Sequence, residues 1–219
     1  MPIDYRCIFM CGWLALAPSV ALAQTAPLQK GAWSNDAASV AIGRGQESLR
    51  VPSPDGKKAV TVGSDYIRVT DGSATLTGLE DTAIDGPAEL LWAPDSKAFA
   101  ITSSDTSLSG TWLVSVFSIS GDTVKIQDVT SDAQDDFMAL YQCTETEKPD
   151  PNIAAIAWTR DSSELLVVAQ VPPLPSCTEK GKVAGYLVSV PSGQILTRFT
   201  ESQLRERWSR TLSPHLAKP

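Results

Sequence analysis

The sequence is short of histidine and cysteine, and each shortage excludes a common kind of chemistry. Its 1 histidine, His215, lies close to the C-terminus, so no Ser-His-Asp or Cys-His arrangement has a base among the central residues. Of the 4 cysteines, Cys7 and Cys11 belong to the N-terminal 23 residues, which leaves Cys143 and Cys177. Two thiols and one histidine do not complete a four-ligand zinc site. We therefore expect no catalytic residue, no metal and no cofactor.

Positive charge is also scarce. The chain has 18 Lys and Arg against 25 Asp and Glu, a formal net charge of −7, and no basic cluster. Binding to a phosphate backbone needs Lys and Arg concentrated on one face, so a nucleic-acid partner is not expected. Beyond the N-terminal stretch, no apolar run approaches the length that spans a bilayer, so we expect no membrane insertion of the mature chain.

Residues 1–23 have the pattern of a secretory signal peptide. Arg6 supplies a basic start, residues 7–20 are mostly apolar, and Ala21-Leu22-Ala23 is a small-x-small cleavage signal. A membrane anchor is the alternative, which Pro18 and the short apolar run disfavour. The pattern predicts a periplasmic or secreted protein, with a mature chain long enough for one domain and its core.

Export makes a disulfide the expected state of the two remaining cysteines. Cys143 and Cys177 are an even pair, 34 residues apart, and oxidising compartments favour their pairing. Closing that loop would stabilise the fold by at most about 3.8 kcal/mol on the chain-entropy model.

A recurring turn organises the rest of the chain. Residues 53–56, 93–96 and 159–162 read Ser-Pro-Asp-Gly, Ala-Pro-Asp-Ser and Thr-Arg-Asp-Ser, and they start 40 and then 66 residues apart. Pro suits the second position of a type I turn and Asp the third, and Gly or Ser takes the strained exit, so each copy predicts a tight hairpin. Trp92 and Trp158 stand just before the second and third turns.

Strand-forming segments flank each turn, and two more follow, so the pattern predicts three four-stranded units. Pro52 takes the place of the tryptophan in the first unit. The predicted strands before the second and third turns are Ala88–Trp92 and Ile153–Trp158. The second strands of the three units are Ala59–Val62, Phe99–Thr102 and Leu165–Ala169. The third strands are Tyr66–Val69, Trp112–Val116 and Tyr186–Val190, and the fourth strands are Ala74–Leu79, Val124–Val129 and Gln194–Phe199.

These turns and strands resemble the repeat of TolB-like and related WD-type β-propellers over residues 48–200. The resemblance implies four-stranded blades and a binding platform, while function carries over only weakly. Propellers of the family close with more than three blades. An N-terminal segment, residues 24–47, precedes the repeats, and residues 33–50 are long enough to add a strand or two but not three further blades. We expect an all-β fold of three consecutive antiparallel blade-like sheets. It would be an open stack, a compact variant, or a propeller completed by a homodimer.

Residues 201–212 are predicted to form a C-terminal helix. Thr200 and Gln203 match a capping box. An i, i+4, i+8 apolar stripe follows, made of Leu204, Trp208 and Leu212. The stripe either seals one end of the sheets or binds a partner, and amphipathic helices usually pack on their own core.

The long connections fall at one edge of the predicted sheets, in residues 103–110, 131–151 and 172–185, with one cysteine in each of the last two. Insertions gathered on one face commonly carry function. In the acidic segment 131–151, the candidate partner-binding residues are Phe137, Tyr141, Asp135 and Asp136, as aromatic anchors in an acidic rim. The alternative is a short helix over residues 132–142 that packs Phe137, Leu140 and Tyr141 on the sheet below.

Two functions follow from this reading. The first is an exported, non-enzymatic module of the cell envelope that binds another envelope or secreted protein through the loop face with the Cys143–Cys177 link. The second is a small periplasmic protein that binds or hydrolyses glycans, with loop carboxylates such as Asp132 and with Trp112 or Tyr141 as sugar platforms.

Overall fold

Three antiparallel sheets, stacked in chain order, make up the fold in the computed structural model, which confirms the all-β prediction. The structure describes residues 29–40, 48–63, 65–80, 82–84, 86–104, 110–143, 148–174 and 177–217. The predicted signal peptide lies outside the described residues.

The elements follow the predicted units closely. An N-terminal strand, β1 (Ala38–Ser39), joins sheet 2, the middle one of the three. The described residues also form three short helices: α1 (Ser131–Met138), α2 (Glu201–Trp208) and α3 (Pro214–Ala217). Sheet 1 has the order β2 (Leu49–Pro52), β3 (Lys58–Val62), β4 (Ile67–Asp71) and β5 (Ala74–Thr75). Sheet 2 has the order β1, β6 (Ala88–Trp92), β7 (Ala98–Ser104), β8 (Trp112–Ser120) and β9 (Thr123–Gln127). Sheet 3 has the order β10 (Asn152–Trp158), β11 (Glu164–Gln170), β12 (Val183–Ser189) and β13 (Ile195–Thr200).

The fourth strand of sheet 1 is shorter than predicted, since it ends at Thr75 and not at Leu79. Leu76 N still donates to Val69 O of β4 at 2.9 Å, and from Thr77 the chain runs beside sheet 2. Thr77 N donates to Asp122 O at 2.9 Å, and Val124 N donates to Thr77 O at 2.8 Å. These bonds satisfy backbone groups that β5 would otherwise have paired within its own sheet.

The three repeated turns have the predicted geometry. The exit residue donates its N–H to the first turn residue in each copy, at 2.9 Å for Gly56, 3.0 Å for Ser96 and 2.9 Å for Ser162. The φ angles of these exit residues are 71°, 60° and 64°. This left-handed region suits glycine, so the two serines accept a conformational cost of about 1 kcal/mol each.

A tryptophan links each sheet to the one before it. Trp92 Nε1 donates to Val51 O at 3.3 Å, and Trp158 Nε1 donates to Leu91 O at 3.1 Å. Both indoles therefore join the strand before the repeated turn of one sheet to the corresponding strand of the preceding sheet. Pro52 occupies the equivalent position in sheet 1.

The turn serines form a second link of the same kind. Asp55 N donates to Ser96 Oγ at 3.1 Å, and Asp95 N donates to Ser162 Oγ at 3.1 Å. Each serine hydroxyl thus accepts a hydrogen bond from the preceding turn, which explains why serine stays at a position that favours glycine. Gly56 stands at this position in the first turn and has no hydroxyl.

The core has three layers, one on each side of sheet 3 and one between sheets 1 and 2. The cluster between sheets 1 and 2 includes Val51, Val60, Val69, Leu90, Phe99, Ile101 and Phe117. The cluster between sheets 2 and 3 includes Leu91, Ala100, Val116, Leu165, Val167 and Val188, together with α1. The cluster on the far side of sheet 3 includes Ile156, Leu166, Val168, Leu204, Leu212, Leu216 and Trp33.

The C-terminal helix has the predicted capping box but is shorter than predicted. Gln203 N donates to Thr200 Oγ1 at 3.4 Å, and Thr200 N donates to the Gln203 side chain at 2.9 Å. The helix ends at Trp208 and not at residue 212, because Leu212 pairs in a β-bridge with Ser34. The apolar stripe packs on sheet 3, so it seals that end of the stack.

Residues 29–40, which we call the N-terminal strap, run along the inner edge of the sheets. The strap pairs with β6 through β1, and Ser34 Oγ donates to Ile156 O of β10 at 2.7 Å. Asn35 N donates to Thr211 O at 2.7 Å, and Ser213 N donates to Trp33 O at 2.9 Å. The strap therefore connects sheet 2, sheet 3 and the C-terminal segment.

Candidate functional site

The face that carries α1 and the disulfide is the candidate site, and we call it the loop platform (residues 128–143, 148–151 and 172–182 where described). The predicted disulfide is confirmed, with Cys143 and Cys177 joined and their Cα atoms 3.9 Å apart. Phe137 and Tyr141 are each 0% exposed and pack in the core beneath α1. Their proposed role as exposed anchors is therefore wrong, and the alternative of a short helix packed on the sheet is confirmed. The helix ends at Met138 and not at residue 142, so Tyr141 packs on the core from the turn that follows it.

Two lysines stabilise the C-terminal end of α1. Lys148 Nζ donates to Met138 O at 2.9 Å, and Lys182 Nζ donates to Leu140 O at 2.8 Å. The carbonyl groups at the end of a helix lack partners within the helix and carry partial negative charge, so cations there are favourable. The Tyr141 hydroxyl donates to the carbonyl of Pro149, which satisfies its polar end inside the core.

The other side of the disulfide is held by Glu179. Its carboxylate accepts a hydrogen bond from Lys182 Nζ at 2.8 Å and from Gln142 N at 2.9 Å. The bond from Lys182, followed by the bond from Gln142, holds the pKa of Glu179 below its ordinary value. Together with the disulfide, these contacts fix residues 139–143 against residues 177–182.

Asp136 has a structural partner and is not a free carboxylate. It forms an ion pair with Arg198 of β13 and lies beside the hydroxyl of Tyr186. Burial raises the pKa of Tyr186 well above its ordinary value, and the neighbouring Asp136 raises it further. Asp136 therefore attaches α1 to sheet 3.

The N-terminal end of α1 is organised by Asp128. Its carboxylate accepts hydrogen bonds from Thr130 N at 2.9 Å, from Ser131 N at 3.2 Å and from the Ser131 hydroxyl. These bonds lower the pKa of Asp128, with the Ser131 side chain as the largest cause. The negative charge also suits the N-terminus of a helix.

The exposed groups of the platform include several carboxylates, the cation Lys180 and one large aliphatic side chain. Asp132, Asp135 and Asp150 are exposed. Leu174 is 40% exposed on the same connection as Cys177, whose N–H donates to Leu174 O at 3.1 Å. Of the predicted partner-binding residues, Asp135 is thus the one that lies fully on the surface.

Trp112 does not form a sugar platform. It is 4% exposed, its ring meets that of Trp33 edge-on at 5.8 Å, and its backbone N–H donates to Asn152 Oδ1 at 3.1 Å. With Tyr141 also buried, neither predicted aromatic platform is available to a glycan.

Glu89 is the ionisable residue that sequence reasoning missed. It lies in β6, is 2% exposed, and its Oε2 accepts hydrogen bonds from Trp33 N at 3.0 Å and from Ser34 N at 3.5 Å. Burial raises its pKa to about 7, since the backbone N–H groups of the strap lower it by less. A Cβ on Gly31 would lie 1.8 Å from Oε2, so the strap needs glycine there. The signal that could have found this site is one carboxylate within an otherwise apolar strand.

Across the described ranges, no cluster of three or more His, Cys, Asp or Glu side chains could hold a metal ion. None of the helices in those ranges is long and apolar enough to cross a bilayer. Comparison with protein-family models gives no matching family, and comparison with curated proteins gives no similar sequence.

Proposed function

We propose that the chain is an exported, non-enzymatic interaction module of the cell envelope that binds a partner protein through the loop platform. The observation that carries the proposal is a rigid surface made from long connections. The disulfide and the bonds of Lys148, Lys182 and Glu179 order segments that would otherwise lose conformational entropy on binding. Such pre-organisation is what a binding surface requires.

The chemistry of the platform indicates the kind of contact. The platform exposes the carboxylates of Asp132, Asp135 and Asp150, and it also exposes the large aliphatic side chain of Leu174. A small apolar contact with a charged rim is a common arrangement in protein interfaces. The buried Phe137 and Tyr141 hold the platform in place, and the rim makes the contact. The disulfide supports the exported location, because such bonds persist in oxidising compartments.

Site-specific photo-crosslinking tests this proposal. A photoreactive residue replaces Asp135 on the platform, and the matched control replaces Asp122, an exposed aspartate in the turn between β8 and β9. We expect the Asp135 position to give a discrete crosslinked protein adduct in intact cells and the Asp122 position to give none. Equal adducts at both positions, or none at Asp135, would contradict the proposal.

Charge reversal supplies a second, independent readout. Asp132→Lys with Asp135→Lys changes two exposed residues and leaves the core side chains Ala133 and Phe137 in place. We expect the thermal midpoint to stay close to that of the parent while the crosslinked adduct is lost. If the adduct persists undiminished, the carboxylates of Asp132 and Asp135 do not take part in the interface.

A further inference from the structure

The face of sheet 1 that points away from sheet 2 is a second surface with a distinct composition. Its residues alternate along the strands with Val51, Val60 and Val69, which pack against sheet 2. We call it the outer face of sheet 1, and its strand residues are Arg50, Pro52, Ala59, Thr61, Arg68, Thr70 and Thr75. Ala59 is buried and the two central threonines are half-buried, so the exposed part of the face is formed mainly by the two arginines, Pro52 and Thr75.

This face differs from the equivalent faces of the other sheets. Counted from the repeated turn and the strand register, four equivalent positions of sheet 2 bury large apolar side chains against sheet 1, namely Leu90, Phe99, Ile101 and Phe117. In sheet 1 the same positions hold Arg50, Ala59, Thr61 and Thr70. The linking tryptophan and serine are also replaced, by Pro52 and Gly56. The outer face therefore lacks the contacts with which these sheets stack on one another.

Positive charge distinguishes the outer face from the rest of the chain. Arg50 lies opposite Thr61, and Thr61 lies opposite Arg68, so the two arginines are two strand spacings apart, roughly 10 Å. Both are exposed, and the Arg68 guanidinium carbon lies 4.9 Å from the centre of the Tyr66 ring, which orients it. The seven strand residues of this face include two positive charges and no negative one, whereas the whole chain has a net charge of −7.

We propose that the outer face of sheet 1 docks a partner protein that presents carboxylates spaced to meet Arg50 and Arg68. Arginine binds carboxylates through two parallel hydrogen bonds, which favours a compact acidic surface. An extended polyanion would also meet the excess negative charge of the chain, which opposes its binding. A second copy stacked face to face would place arginine against arginine. The surface belongs to sheet 1, whereas the loop platform packs on sheets 2 and 3, so this inference goes beyond the proposed function.

A labelled peptide of alternating glutamate and threonine tests the surface. Its extended form places all of its carboxylates on one side and the threonines on the other. Fluorescence anisotropy with the chain after Ala23 measures its affinity. We expect saturable binding that weakens by about tenfold or more in Arg50→Glu with Arg68→Glu, because two favourable charge contacts become repulsive. The matched control, Lys97→Glu with Lys125→Glu, makes the same change of net charge at two exposed lysines, one in the turn before β7 and one in β9. We expect it to weaken binding by less than about twofold.

The remaining outcomes are decisive as well. Absence of saturable binding to the parent, or an equal loss in the arginine and lysine variants, overturns the proposal. If a DNA duplex or anionic lipid vesicles bind more tightly than the peptide, the proposal that the partner is a protein is overturned. Self-association of the parent that the arginine variant abolishes would identify a second copy as the occupant and also overturns it. Thermal unfolding checks each variant, and Arg50→Gln with Arg68→Gln replaces the charge reversal if that variant does not fold.

Discussion

Replacing Glu89 with glutamine tests whether a buried carboxylate couples the N-terminal strap to pH. Burial raises the pKa of Glu89 from 4.5 to about 7, while the N–H groups of Trp33, Ser34 and Ala32 act in the opposite direction. Glutamine keeps the shape of the side chain and an oxygen that can accept those bonds, but it does not ionise. Any difference in pH dependence between the two proteins therefore reports the ionisation of Glu89.

The sign and the size of the effect follow from linkage. The folded protein binds the proton more tightly than the unfolded chain, so the stabilisation is fully present below pH 4.5 and is lost as pH rises through 7. The rise in pKa corresponds to about 3 kcal/mol, of which about 2.5 kcal/mol is lost between about pH 5 and about pH 8. Relative to Glu89→Gln, the parent should lose about that much free energy of unfolding over this range.

The measurement is urea unfolding followed by tryptophan fluorescence, at several pH values and with the disulfide intact. Burial lowers the pKa of His215, whose ring lies 5.1 Å from that of Trp33. Protonation of His215 in acid therefore lowers the free energy of unfolding of the protein. This effect is present in both proteins and cancels from the difference. Asp135→Asn, at an exposed carboxylate, is the control. The difference in free energy of unfolding between this variant and the parent should stay flat over the same pH range. A difference between parent and Glu89→Gln that stays flat from about pH 5 to about pH 8 would refute the reasoning.

Two further predictions concern the covalent link and the repeated turns. Cys143→Ser with Cys177→Ser should lower the free energy of unfolding by up to about 3.8 kcal/mol, and reductant should shift the urea midpoint of the parent but not of the variant; equal midpoints for oxidised parent and variant would rule this out. Ser96→Ala should cost about 1–2 kcal/mol, since it removes the acceptor for the Asp55 N–H and keeps the strained φ. Ser96→Gly should be close to neutral because relief of strain offsets the lost bond, and Gly56→Ser should cost about 1 kcal/mol. Identical melting of the two Ser96 variants would contradict the strain argument.

The strands and turns could be predicted from sequence because their signals are local. Asp at the third position of all three turns, Pro at the second position of two, and apolar runs on either side determine each hairpin without reference to distant residues. The disulfide was predictable for a related reason. Once the strands are placed, the segments around Cys143 and Cys177 fall at the same edge of the stack.

The candidate site was predicted less completely, because burial depends on what packs above a residue. The spacing of Phe137 and Tyr141 suits both an exposed anchor and a packed helix face, and only contact with sheet 3 decides between them. Glu89 is hidden by the N-terminal strap, which meets it across 56 residues of sequence. The end of the last helix at Trp208 likewise depends on the distant Ser34, which pairs with Leu212.

The bonds of the N-terminal strap to the C-terminal segment have a consequence for the order of assembly. Asn35 Nδ2 donates to Leu212 O at 2.7 Å, over a sequence separation of 177 residues. During vectorial synthesis the strap emerges first, yet its docking site is complete only when Thr211, Leu212 and Ser213 have followed. Sheets 1 and 2 can form from nearby contacts in the meantime, since short-range closure is the faster step. The strap can pair with β6 before those last residues arrive, but its bonds to the C-terminal segment form only afterwards, so closure of the two chain ends on each other is a late event that marks completion of the domain.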